Sequence, residues 1–181
     1  MSLPPYTPLK LPWYPTAVRI NTIGDGSCFF HALALSYCKV YREGDNAFKR
    51  SFVTQLRQQL ALALKDKYNT LSRGQLLSMS KDMDKYTLQN MENELKSSSA
   101  VDNLYLELCS EVMEKDIYIL DAVTRDIYRL GKDNDLLVKN RDSIVIAYLP
   151  GHYELVGDEQ NGFIRTLFPY THPFIQAIKS R

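Results

Sequence analysis

At 181 residues the chain suits one domain with a continuous core, and 45% apolar against 24% charged residues is an ordinary globular composition that excludes a disordered chain. Twenty-two Lys and Arg balance twenty-one Asp and Glu to a net charge of +1, so no strong field draws the protein to nucleic acid, and a protein or neutral partner is expected. The chain opens without a basic stretch leading into an apolar run and holds no long uncharged segment, so a soluble, cytoplasmic monomer without membrane contact is expected.

Five of the eight prolines fall in the first fifteen residues, which predicts an extended arm draped over the surface rather than a core element, with Trp13 and Tyr14 anchoring it by packing. Val18 to Thr22 leads as a short extended piece into a turn at Gly24–Gly26. Cys28 to Lys39 reads as a helix that is apolar on nearly every side, so it is expected to be buried. Gly44-Asp45-Asn46 closes it and caps a second helix, in which Phe48, Phe52, Leu56, Leu60 and Leu64 recur every four residues and Lys49, Arg50, Arg57, Gln58 and Lys65 take the other positions. A helical turn over Gln75–Ser80 and a helix over Leu88–Leu95, introduced by Thr87, follow. Asp102 is a candidate cap for a stripe of Leu104, Leu108 and Val112 with Tyr105 and Cys109.

From Asp116 the pattern becomes that of strands. Ile117–Leu120 and Ile127–Leu130 flank a Thr124-Arg125-Asp126 turn, and Gly131–Asn140 is a polar connection. Ser143–Leu149 is a continuously apolar run suited to a central strand, which Pro150-Gly151 turns back into His152–Val156. Gly157–Gly162 reads as a polar loop, Phe163–Phe168 as a further strand, and Pro173 opens a short helix through Ile178.

Three residues carry candidate chemistry. Cys28 sits at a helix N-terminus, where free backbone N–H groups favour a thiolate, and Gly26 lets the loop approach the sulfur so that loop amides converge on one oxygen. Three cysteines without C-x-x-C spacing fit free thiols in a reducing compartment, and a structural, buried Cys28 stays open beside a nucleophilic one. Of three histidines, His152 is held by backbone on both sides of a turn, and Glu154, two residues along the strand, shares its face and can orient its ring. A turn histidine and a solvent-facing carboxylate explain the same spacing equally well. His31, three positions along the helix from Cys28, reads as a packing or hydrogen-bonding residue.

Asp25-Gly26-Ser27-Cys28-Phe29-Phe30-His31 resembles the nucleophile segment of the ovarian tumour (OTU) family of cysteine deubiquitinases. Ile144 to Val156, with Gly151-His152-Tyr153-Glu154-Leu155-Val156, resembles that family's histidine strand, and the order and separation of the two segments match as well. The similarity runs from about Ile20 to Val156, and the compact size resembles viral or bacterial members.

The resemblance implies an α+β fold, with a small, mostly antiparallel sheet held between helices and a buried central helix carrying the nucleophile. The proline-rich arm over residues 1–17 lies outside the similarity, and residues 18–181 are expected to form a single OTU-like catalytic domain. The implied activity is hydrolysis of isopeptide bonds at the C-terminus of ubiquitin or polyubiquitin, and of ubiquitin-like modifiers as a further substrate class, through a thioester and without metal or cofactor. If the source is a virus or an intracellular bacterium, the host cytosol is the implied location.

By the same resemblance Cys28 is the nucleophile, His152 the base and then the acid, and Asp25, Gly26 and Cys28 serve the oxyanion. Glu154 is the first choice for the third group and Asp25 the second. Many relatives carry a Trp-Gly pair where this chain has Ser97-Ser98-Ser99-Ala100-Val101-Asp102. Two other readings are a ubiquitin-binding pseudo-enzyme and a papain-like protease that cuts ordinary peptides.

Overall fold

The computed structural model describes residues 4–71, 87–101, 105–128 and 139–181. Among them, β1 (Tyr6–Pro8), β2 (Ala17–Ile20), β3 (Asp116–Asp121), β4 (Ile127–Tyr128), β5 (Ser143–Leu149), β6 (His152–Gln160) and β7 (Phe163–Arg165) form one sheet. The strand order is β1-β2-β6-β5-β3-β4, with β7 also on β6. Only β3 and β5 run parallel, with Ile117 opposite Ile144, and the other pairs are antiparallel. The helices among the described residues are α1 (Cys28–Tyr37), α2 (Lys39–Glu43), α3 (Asn46–Leu71), α4 (Leu88–Lys96), α5 (Tyr105–Met113) and α6 (Pro173–Lys179).

The period of two along a strand divides the core into two layers. Ile117, Ile119, Ile144, Ile146 and Leu155 face α1, α3, α4 and α5, whereas Tyr118, Leu120, Val145, Ala147 and Val156 face Phe168 and α6. Burial on both faces explains why β5 is apolar throughout. The fold is thus α+β, with a mostly antiparallel sheet between helices and a central α1 whose first nine residues are all buried.

Several local expectations are corrected. The N-terminal segment is extended but is not confined to the surface: β1 pairs with β2, Tyr6 opposite Ile20, while Leu9 and Leu11 enter the second core layer. Trp13 and Tyr14 pack against Phe174 with ring centroids 6.1 and 4.6 Å away. Leu11→Ala is therefore expected to cost about 2–5 kcal/mol in denaturant unfolding, as for a core leucine. A cost within about 0.5 kcal/mol would return the segment to the surface.

The first helix stops at Tyr37, because Cys38 turns extended (ψ 106°), and α2 restarts at Lys39. The Asp45 carboxylate caps α3 by accepting the Phe48 N–H at 2.8 Å. Gly157–Gln160, expected as loop, continues β6. Its polar residues are satisfied by tertiary partners: buried Asp158 accepts from the Tyr14 hydroxyl at 2.9 Å and from Thr16 Oγ1 at 2.5 Å. Burial and Asp158 push the Tyr14 phenol up to about 12. The last strand covers only Phe163–Arg165, with Phe168 making an isolated bridge to Ser143. Val112 is exposed, not part of the α5 stripe, and Arg57 is buried rather than on a solvated face. Gln75–Ser80, Asp102, Leu104, Arg129, Leu130 and residues 131–138 lie outside the described residues. No helix among the described residues is long and apolar enough to cross a membrane.

Candidate active site

The turn before α1 is built around Asp25. Its carbonyl accepts the Cys28 N–H at 3.2 Å, and its Oδ1 accepts the Ser27 N–H at 2.8 Å. Oδ2 lies 3.2 Å from His31 Nε2 and 3.7 Å from Arg50 Nε. His31 Nδ1 is 2.6 Å from the Tyr41 hydroxyl. An ionised Asp25 calls for the Nε2–H tautomer of His31, so Nδ1 accepts from Tyr41. Burial outweighs the Asp25 carboxylate and pushes the imidazole below its usual 6.5, which keeps it neutral. His31 thus holds Asp25, as a hydrogen-bonding residue.

The opposite wall comes from the β5–β6 turn. Gly151 takes φ +74°, a left-handed conformation that side-chain-bearing residues resist, and the chain reverses so that His152 pairs with Leu149 as the first residue of β6. The next residue, Tyr153, donates its N–H to Cys28 Sγ at 3.4 Å, so β6 lies directly against the sulfur. His152 Nε2 is 3.6 Å from Glu154 Oε2, an ion-pair distance. Glu154 is only 2% exposed and its other oxygen is bound by Arg19. Arg19 was not singled out by sequence. It stands opposite Val156 on β2, diagonal to Glu154, a relation that exists only once the strands are in register.

A cleft of about 590 Å³ is lined by Asp25, Gly26 and Cys28 of the turn, by His152 and Tyr153 of β6, and by Ala100 and Val101. Gly26 is required by the neighbouring Ser98–Ala100 segment, since a Cβ there would overlap the Ser98 carbonyl oxygen. The structure therefore brings Asp25, Gly26, Cys28 and His152 to one cleft and sets Glu154 behind His152. Among the described residues no group of three or more His, Cys, Asp or Glu is arranged to hold a metal ion.

Two expectations about the loop are modified. Burial pushes the Cys28 thiol above its ordinary 9.0, and the Asp25 carboxylate adds to this. The N–H groups of Tyr153 and Phe29 pull the other way without prevailing. Burial thus opposes the N–H groups that would favour a thiolate at this helix N-terminus. The Asp25 and Cys28 amides donate within the turn, to the Ile23 and Asp25 carbonyls at 3.1 and 3.2 Å, rather than into the cleft. For the free protein, Cys28 alkylation by iodoacetamide is expected to keep rising from about pH 7 to 9, following a thiolate that forms above the ordinary range. A rate already constant below about pH 7 would reveal a preformed thiolate.

No protein-family model and no curated protein matches the sequence. Solved structures do match. An ovarian tumour domain in complex with ubiquitin aligns with a TM-score of 0.60 at 17% identity, over 91% of this chain and 82% of that one. The OTU domain of OTUD1 aligns at 0.54 and 20% identity, over 78% and 86%. The viral OTU domain protease from Taggert virus aligns at 0.51 and 19% identity, over 82% of each. With this sheet, this central helix and these matches together, the chain has the OTU-domain fold.

Proposed function

We propose that this protein is a cysteine isopeptidase that hydrolyses the bond joining the C-terminal glycine of ubiquitin, or of a ubiquitin-like modifier, to a lysine amine. The observation that carries the reading is the convergence of Cys28 and His152 on one cleft, with buried Glu154 3.6 Å behind His152 and itself bound by Arg19. The similar ovarian tumour domain solved with ubiquitin supports the choice of substrate. Three free thiols, at Cys28, Cys38 and Cys109, suit work in a reducing cytosol by a single catalytic domain.

In this reading His152 removes the thiol proton, and Sγ attacks the glycine carbonyl carbon. The oxygen becomes an oxyanion, which in this reading the Gly26 and Cys28 amides receive. The Cys28 N–H exchanges its long bond to the Asp25 carbonyl for the stronger one to a charged oxygen. Collapse expels the lysine amine, which takes the proton from His152, and leaves a thioester. Water then gives a proton to His152, attacks the thioester and releases the ubiquitin carboxylate with the thiol restored. Glu154 orients His152 and is itself kept in place by Arg19.

The experiment is intact-mass analysis after incubation with ubiquitin carrying a thiol-reactive C-terminal warhead. A one-to-one adduct in the wild type and none in Cys28→Ala is expected. If the wild type stays unmodified by this probe and by the same warhead on ubiquitin-like modifiers, the enzyme reading is wrong.

A further inference from the structure

Arg57 is a charged side chain 1% exposed, on a helix whose periodicity assigns it to solvent. Its guanidinium is spread over two pieces of chain. Nε donates to the Leu95 carbonyl at 2.9 Å and one terminal nitrogen to the Glu94 carbonyl at 2.9 Å, both in the last turn of α4. The other terminal nitrogen donates to Ser27 Oγ at 2.8 Å. The group also lies over the Phe30 ring, 4.8 Å from its centroid.

A planar fork suits this arrangement in a way that a point charge does not, because three donors aim in fixed directions at once. The α4 carbonyls carry the negative end of a helix dipole, which offsets part of the cost of burying the cation. Ser27 is spent on this bond: it is the N-cap residue of α1, yet its side chain makes no capping hydrogen bond.

Both pieces of chain lead into the cleft. Ser27 immediately precedes the nucleophile, and the end of α4 runs through Ser97 into the segment whose Ser98 carbonyl packs against Gly26 and whose Ala100 and Val101 line the cleft. We infer that Arg57 is a positioning residue for the nucleophile: by clamping Ser27 to the end of α4, it holds the Cys28 loop at a set distance from the cleft wall. This rests on the isopeptidase reading for its effect on turnover, though not for the clamp itself. Loosening the clamp frees the sulfur to small reagents while displacing it from an addressed substrate, so the two reactivities move in opposite directions. Simple loss of stability opens the whole core instead.

The test compares Ser27→Ala, which removes only the loop's acceptor, with Arg57→Lys, which keeps the charge without the fork, and with the double variant. Alkylation by iodoacetamide is read residue by residue, with fully buried Cys109 as the internal reporter of global opening, and adduct formation with the ubiquitin warhead is timed in parallel. Cys28 alkylation is expected to rise severalfold with Cys109 unchanged, while the warhead reaction slows about tenfold. The double variant should be no slower than Arg57→Lys alone. Wild-type rates in Ser27→Ala, or Cys28 and Cys109 rising together, overturn the clamp. If Arg57→Lys does not fold, Ser27→Ala decides. A wild type that forms no adduct sinks the isopeptidase reading, and the alkylation arm then judges the clamp by itself.

Discussion

His152→Ala is expected to lower kcat/KM on a ubiquitin–fluorophore conjugate by about 10³-fold or more at neutral pH, with far-UV circular dichroism unchanged. Burial pushes the Cys28 thiol above its ordinary range, so in the proposed mechanism the sulfur needs a proton acceptor at the moment of attack, and the leaving amine needs that proton afterwards. His152, which lines the cleft, does both in that mechanism. His152 is at the surface end of a strand, 28% exposed, so its removal leaves the core intact. The sign of the pH dependence follows from the thiol. Its raised value means the charged form accumulates only as pH rises, so the deficit of His152→Ala should narrow toward about pH 9.5, where hydroxide begins to take over the first proton transfer. Cys28→Ala, with no nucleophile to ionise, should stay inactive throughout. A fully active His152→Ala protein would refute the assignment of the base.

Glu154→Ala should lose about 10- to 100-fold in kcat, a partial effect, because an orienting group acts through the base and not on the substrate. The carboxylate is shared between Arg19 and His152, and its loss frees the imidazole to rotate while Arg19, one-third exposed, can turn to water. Asp25 is the other candidate for the third position. Its oxygens are engaged by Ser27, His31 and Arg50, which makes it a loop organiser in this structure. Asp25→Ala is therefore expected to disturb Cys28 through the turn, with a rise in Cys28 alkylation resembling that of Ser27→Ala. Total loss of activity in Asp25→Ala beside a mild loss in Glu154→Ala would reverse the ranking.

Much of the site was legible because its parts are local. A glycine turn leading into an apolar helix and a histidine and glutamate two apart on a strand can be read over a few residues, where periodicity and turn chemistry set backbone direction. The helix cap at Thr87 is of the same kind: its Oγ1 accepts the Asn90 N–H at 3.2 Å, three residues away. The length of β6 was not legible, because Asp158 and Gln160 look like loop residues until Tyr14 and Thr16, more than 140 positions earlier, supply their partners.

By itself the sequence determined that a buried helix begins at Cys28, that an apolar strand over Ser143–Leu149 is central, and that His152 and Glu154 share a face. Each follows from spacing along one element. Only the tertiary structure decided that the proline-rich segment is a sheet edge, that Arg19 holds Glu154, and that Arg57 is buried between Ser27 and α4. It also decided that Cys28 is buried, which opposes ionisation of its thiol. The reason is common to all four: the free energy of a polar or ionisable group depends on how much water it keeps and which groups face it. Those groups come from distant parts of the chain, whose register no local pattern records.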